Sequence, residues 1–362
     1  MRKIAVVALK ELRQVSRDPL SLLMLLGLPA MMLVLYGYAI SFDVRHVALA
    51  VQDRDRTRAS RELVATFVNS SFFDVAANPQ PGDDLEALTQ RLVAKAILVI
   101  PEGYARELHA GRPSPVQFLV DGADANTATT ILGYADALLA STAGARRQPI
   151  RYQPRVWYNP ELSSTRFLVP GLMGMLLMLT AVLSTAMSIV REKERGTLEQ
   201  IRVSPISGLQ FILGKTLPYL GISLLAAAII LLAARVLFGI AVRGSYLELL
   251  GLTLLYLTGA LGLGLLVSTV ADSQALAFQQ ALLVSMLPSV LLSGFIFPIA
   301  NMPEWLRAIT CAVPARFYLV ALRGVILKGA PLEVYSEQVA ALAAFAAVML
   351  VLATRRLARE VA

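Results

Sequence analysis

The sequence predicts an integral membrane protein, mainly α-helical: six transmembrane helices with an extracytoplasmic α/β domain between the first and second. Three observations predict it. The chain is 56% hydrophobic and only 16% charged, with mean hydropathy +0.63, whereas soluble domains carry about a quarter of their residues as charges. Six apolar runs approach the ~20 residues a helix needs to cross the hydrocarbon. A long stretch between the first two runs has ordinary soluble patterning.

The runs lie at 20–40, 167–190, 211–234, 249–271, 275–299 and 339–354. The fifth contains Pro288, where a kink is tolerated if neighbours satisfy the freed carbonyl. The last, "VAALAAFAAVMLVLAT", is short and alanine-rich. Basic residues set the orientation. Arg2, Lys3, Lys10, Arg13 and Arg17 precede the first run. Arg191, Lys193, Arg195, Arg202 and Lys215 follow the second, and Arg355, Arg356 and Arg359 end the chain. With six crossings all three clusters share one face, which the positive-inside rule makes cytoplasmic, together with both termini. The net charge of +8 and pI near 9.7 then reflect cytoplasmic loops, and no nucleic-acid partner is expected.

Residues 1–18 form a predicted interfacial amphipathic helix rather than a signal peptide, since the charged region is long and no A-x-A site follows. Ile4, Val7, Ala8 and Val15 recur at helical spacing among bases. In "RDPL", Asp18 can cap and Pro19 suits a first helical turn, opening the first span over 19–40. Residues 41–165 alternate strand-like and helix-like segments. "HVALAVQD", "FFDVAAN", "KAILVIP" and "PVQFLVD" read as strands; "TRASRELVATFVNS", "GDDLEALTQRL", "EGYARELHAG" and "NTATTILGYADALLAST" read as helices. The remainder, 166–362, holds five further spans, a cytoplasmic loop at 191–210 and an external segment at 301–335. That segment mixes Trp305, Phe317 and Tyr318 with Arg307, Arg316 and Arg323, a composition suited to the headgroup layer.

Several chemistries are excluded. One cysteine, Cys311, permits no intrachain disulfide, and His46 and His109 lack a second ligand at a metal spacing. "GLQFILGKT" at 208–216 imitates a phosphate loop, but five residues separate Gly208 from Gly214, and the loop is filled by apolar side chains. "LLSGF" at 291–295 imitates a nucleotide-binding signature inside an apolar span. The chain is therefore expected to hold no catalytic, metal or cofactor site and to bind no ATP. Charges inside spans are expected to be nearly absent, with Arg235 and Glu248 at span ends; this weakens a proton-driven transporter, which retains such groups for its relay.

The loop "REKERGTLEQIRVSPIS", 191–207, carries six charges in its first nine positions. Arg191 to Glu194 continue the second span, Gly196 suits a helix stop, and Thr197 with Gln200 and Ser207 with Gln210 each offer a capping box. This specifies a helix, a break, a short amphipathic helix and a second break. A solvated turn needs neither such dense charge alternation nor two caps.

This segment, with "ILGK" after it, resembles the cytoplasmic loop of type-2 ABC exporter permeases, whose pattern is roughly E-[RK]-E-x-G-T-[LM]-E. "PEWL…PARFY…LR" resembles the same family's external re-entrant segment, placing Pro303, Trp305, Pro314, Tyr318 and Arg323 in it. The likeness covers residues 125–360, and the large external domain is like that of the bacterial multidrug-type subgroup. The resemblance implies a half-transporter in the bacterial inner membrane that exports hydrophobic or amphipathic small molecules. It implies an ABC ATP-binding subunit, which uses ATP and Mg, docked on the loop. The coupling element would comprise Arg191, Glu192, Lys193, Glu194, Arg195, Gly196, Thr197, Leu198, Glu199 and Arg202. A second permease copy or paralogue, membrane lipids and a periplasmic adaptor are the other expected partners. The alternatives are a type-2 permease for an ion, lipid or polysaccharide, or a membrane-anchored receptor or scaffold that uses its external domain. Polysaccharide-type members generally lack such a domain.

Small residues at span faces, Gly171 with Gly174 and Ala260 with Gly264, are candidates for close helix packing.

Overall fold

The computed structural model describes residues 2–39, 46–91, 93–112, 114–122, 125–143, 163–197 and 207–361. The chain divides into two compact units, one of Met1–Ser41 with Trp157–Ala362 and one of Phe42–Val156.

The first unit is helical. Helix α1 (Arg2–Ser16) turns its Ile4, Val7, Glu11 and Val15 side inward, with Glu11 and Val15 fully buried. Helix α2 (Pro19–Leu22), a π-helical turn (Leu23–Gly27) and α3 (Leu28–Ala39) follow one another without a gap. Among the described residues, five helical segments are long and apolar enough to cross a membrane, or six if one bent pair counts as a span. They begin with α8 (Ser164–Glu194), α9 (Gly208–Phe238) and α10 (Tyr246–Val270). Next comes a composite segment of α11 (Gln274–Ala281), a π turn and α12 (Leu287–Leu291), and the series ends with the region of α15 (Ser336–Val361). The bent pair joins α13 (Glu304–Thr310) to α14 (Pro314–Arg323) and its π-helical extension at 81°.

Two expected spans differ in detail. The apolar helix Leu23–Tyr38 is shorter than the other candidates. The fifth run is helical only to Leu291, because Gly294 adopts φ +78° and the chain turns there rather than continuing to 299. Its π turn precedes Pro288, supplying the irregularity that a mid-helix proline demands.

Helix α8 is the hub, buried along nearly all of Leu168–Val190 by α3, α9, α10 and α11. Close approach to α10 requires Gly264, where a Cβ would overlap Thr185 Oγ1 and the Val182 carbonyl. Thr185 Oγ1 also donates across the gap to the Leu261 carbonyl at 3.1 Å. Gly171 and Gly174 instead make room for the side chains of Phe295 and Leu319.

The second unit contains all four expected strands, β1 (Val47–Asp53), β2 (Phe73–Ala77), β3 (Ala96–Ile100) and β4 (Gln117–Val120). Helices α4 (Arg58–Asn69), α5 (Leu85–Gln90), α6 (Tyr104–His109) and α7 (Ala125–Ala143) alternate with them or follow. Strand order is β2-β1-β3-β4, parallel except for the antiparallel β3–β4 pair. One sheet face packs Val47, Leu49, Val51 and Leu98 against Leu63, Phe67 and Ile131. Asp55, held by Thr57 and the Ala105 amide, ties the β1 end to the start of α6.

Candidate functional site

The loop root is built by the last turns of α8. Ser188, Glu192 and Thr185 lie three or four residues apart and so share the face that looks inward. The helix runs to Glu194; the Arg195 amide bonds to the Arg191 carbonyl, and Gly196 then takes φ +68°, the left-handed stop expected of a glycine there. Beyond the loop, Ser207 caps α9 with the expected box: its side chain accepts from the Gln210 amide, and Gln210 accepts from the Ser207 amide.

The charges of 191–194 turn toward the chain's own elements. Arg191 reaches Asp18 Oδ2 at 3.4 Å and Gln274 Oε1 at 3.5 Å. Glu192 takes Lys10 Nζ at 2.5 Å on one oxygen and Lys215 Nζ at 3.0 Å on the other. Lys193 donates to the Ser268 carbonyl at 3.0 Å. Glu194 accepts from the Gln274 amide at 2.8 Å and from its side chain, at the start of α11. Arg195 and Gly196 are exposed, and Thr197 Oγ1 turns back to the Glu192 carbonyl at 3.4 Å. Leu198, Glu199 and Arg202, with Gln200 of the first capping box, lie outside the described residues.

Beneath this root is a group the sequence did not reveal. Lys215, inside α9, is 1% exposed, Glu11 of α1 is 1% exposed and Glu192 is 5% exposed. Lys215, read from the sequence as one of the basic residues that follow the second run, is instead buried near the start of α9, where two carboxylates meet it. Its ammonium lies 3.3 Å from Glu11 Oε1, and it donates to Ser188 Oγ at 2.8 Å and to the Ser188 carbonyl at 3.2 Å. Ser188 Oγ donates onward to Glu11 Oε2 at 3.1 Å, and Tyr219 OH donates to the same oxygen at 3.3 Å.

Burial pulls the Glu11 pKa upward, but the ammoniums of Lys215 and Lys10 and the Ser188 hydrogen bond outweigh it and hold that carboxyl below the usual glutamate range. Half-burial would lower the Lys10 pKa; the hydrogen bond and charge of Glu192 overcome it and raise the value. The available signals were a lone lysine in an apolar run and a glutamate on the apolar side of α1.

At the opposite end of the helices, Pro303 precedes α13, Trp305 is 67% exposed, and Pro314 opens α14. Tyr318 does not face outward. It is fully buried, stacked on Tyr256 with centroids 4.0 Å apart, and its hydroxyl pairs with Thr253 at 3.0 Å. Arg323 donates to the carbonyls of Gly294 and Phe167, both at 3.2 Å, and lies over the Phe167 ring at 4.0 Å. Cys311 is exposed, and among the described residues no group of three or more metal-ligating side chains occurs.

The Gly196 stop ends α8 and the Ser207 box opens α9, and sequence comparison decides the family. Residues 20–355 match the ABC-2 family transporter protein profile. The chain belongs to that family. It is 32% identical over 337 residues to the probable multidrug ABC transporter permease YbhS of Escherichia coli K12, covering 91% of this chain and 89% of that protein. It is 28% identical over 334 residues to the probable multidrug ABC transporter permease YbhR of the same strain, covering 90% of each. The linearmycin resistance permease protein LnrN of Bacillus subtilis is 23% identical over 366 residues, covering 91% of this chain and 92% of that protein. This ABC-2 member is thus a multi-pass membrane transport permease, and its family implies a partnering ATP-binding subunit.

Proposed function

We propose that the chain is the membrane half of an ATP-driven exporter of hydrophobic or amphipathic small molecules. In this reading it crosses the bacterial inner membrane six times, with both termini in the cytoplasm. The loop 191–210 receives an ATP-hydrolysing subunit, two permease halves pair, and the segment 301–335 is re-entrant from outside. The external domain of 41–165 and the relatives named for multidrug and linearmycin resistance favour a drug-like cargo over an ion or polysaccharide.

The carrying observation is the fastening of the loop root. Arg191, Glu192, Lys193 and Glu194 bind groups on or beside α1, α9, α10 and α11. A force applied at exposed Arg195–Gly196 therefore reaches four elements at once, as a rocking mechanism requires. ATP and Mg belong to the partner subunit in this scheme.

The test is affinity capture of the full chain from native membranes, followed by assay of the complex in proteoliposomes. An ATP-hydrolysing subunit should co-purify. Gly196→Leu forces a branched side chain into φ +68° and should leave insertion intact while reducing cargo-stimulated hydrolysis at least about tenfold. Capture of the wild-type chain without any ATPase, or normal export by Gly196→Leu, would overturn the proposal.

A further inference from the structure

We infer that Lys215 is a positioning residue for the coupling stroke: its buried ammonium binds the loop root, α1 and α9 into a single body. The inference rests on the exporter reading for the word coupling, and on geometry alone for the single body.

Lys215 lies eight positions after the Ser207 cap, roughly 12 Å along the helix axis. Its neighbour Gly214 marks where α1 touches the α9 backbone: a Cβ at 214 would meet Val7 Cβ at 2.7 Å and the Ile4 carbonyl at 3.2 Å. The Val7 side chain packs directly on the α9 backbone there, and Lys215 beside it is buried. Lys215 points into the angle between α1 and α8, where Ser188, Glu192 and Glu11 converge.

The four charges balance. Glu11 and Glu192 are two anions; Lys215 and Lys10 are two cations, Lys10 closing the group from outside at 2.5 Å from Glu192 and 3.5 Å from Glu11. A displacement of Glu192 with the loop, unless α1 and α9 followed, would part a buried pair and strand uncompensated charge in a poorly solvated place. The low-energy response is for all three to move together. Bending at the base of α8, which would absorb the push before it reached the bundle, is suppressed.

A substrate-binding or proton-carrying role fits less well. Ser188 and Tyr219 both donate to Glu11 Oε2, while Glu11 Oε1 and Glu192 Oε2 meet the Lys215 ammonium as ion pairs at 3.3 Å and 3.0 Å and accept no hydrogen bond among the described residues. Ser188 and Tyr219 also line a small, mainly apolar cavity, but Lys215, Glu11 and Glu192 do not, and of the four charged groups only Lys10 is exposed.

The test uses the full chain in lipid nanodiscs and three variants. Lys215→Met leaves two anions against one cation, and Glu11→Gln leaves two cations against one anion. The double variant Glu11→Gln/Lys215→Met leaves the neutral Lys10–Glu192 pair. Amide exchange of α1, which needs no partner subunit, should accelerate at least about tenfold in each single variant and return to within about threefold of wild type in the double. In the complex, each single variant should retain ATP hydrolysis while exporting at least about tenfold less cargo per ATP, and the double should recover most of that ratio. Should Lys215→Met fail to insert, recovery of insertion in the double variant supports the inference equally, and failure of the double to insert counts against it. Unchanged α1 exchange in both single variants, or a double variant as defective as the two effects combined, would overturn the inference. If the wild-type chain brings no ATPase with it, the exporter reading fails while the exchange result still decides whether the three elements form one body.

Discussion

Two cations sit at opposite ends of this bundle, Lys215 fully buried and Arg323 half-buried, and they are accommodated in opposite ways. Lys215, at the loop end, is met by two carboxylates and a hydroxyl. Arg323, at the other end, has no carboxylate partner among the described residues; it is held by two backbone carbonyls and the face of Phe167. The chemistry of the two side chains explains the choice. An ammonium is a compact, strongly hydrated point charge that needs counter-charge when buried, whereas a guanidinium is planar, weakly hydrated, and content with carbonyls and a ring. The consequences differ as well. The ion-paired end resists any motion that separates charge, while the carbonyl-held end fixes three backbone segments by direction, with dipoles in place of a counter-charge. Stiffness therefore belongs to the loop end, and shape to the end where the broken helices gather.

The largest expected effect falls on the charged end. Glu192→Gln removes one anion and keeps the shape, leaving Lys10 and Lys215 against Glu11 alone. Removing one partner of a buried pair costs about 3–5 kcal/mol, so the unfolding midpoint of the helical unit should fall strongly in detergent titrations. A loss below about 1 kcal/mol, the range of exposed pairs, would mean that the group is solvated and the contrast false.

A middling effect is expected at Arg323. Arg323→Met removes the donor to the Gly294 and Phe167 carbonyls, bonds that are part-buried and exposed respectively, and should cost about 0.5–1.5 kcal/mol for each. Arg323→Lys is the sharper variant. It keeps the charge but loses the two-carbonyl fork and the ring stack, and it should destabilise about as much as Met. A neutral Arg323→Lys would show that a point charge suffices there, erasing the difference between the two ends.

How much of this is legible in the sequence follows the same division between local and distant contacts. Turn and cap chemistry is local, so the Gly196 stop, the Ser207–Gln210 box and all four strands can be read from neighbours along the chain. The antiparallel placement of β4 cannot, because alternation of strands and helices does not specify direction for the last strand. Glu11 and Ser188 are 177 positions apart, and no spacing rule links an interfacial helix to the end of α8. By pattern alone the glutamate is one polar residue among bases, and Lys215 one more cytoplasmic cation. Tyr318 misleads in the opposite sense: an aromatic among arginines has the composition of an interfacial belt, and only the stack on Tyr256 assigns it to the core. Charge density draws attention to the loop, but the charged groups of Arg191–Glu194 bind the chain itself, with Arg195 and Gly196 exposed just beyond them.

The smallest effect, and the most selective, is expected from acid. The ammoniums around Glu11 keep its folded pKa below that of an ordinary glutamate, near 4.3 in a solvated chain. Its stabilisation is therefore complete above that ordinary value and is lost as pH falls through the lower folded one, because the unfolded chain takes up the proton first. Protonation leaves Lys10 and Lys215 sharing Glu192, the same imbalance that Glu11→Gln creates. Asp55 and Glu107 in the inserted domain also have lowered values, so a global unfolding curve would blend unrelated events. Local exchange separates them. On acidification from neutral pH, and after correction for intrinsic exchange rates, α1 should lose protection below the ordinary glutamate range. Helix α14, whose Arg323 is surrounded by carbonyls and a ring, should hold its protection over the same interval. Glu11→Gln should flatten the α1 profile at the already reduced level. Equal acid loss in α1 and α14 would place the titrating group elsewhere and remove the electrostatic distinction between the two ends.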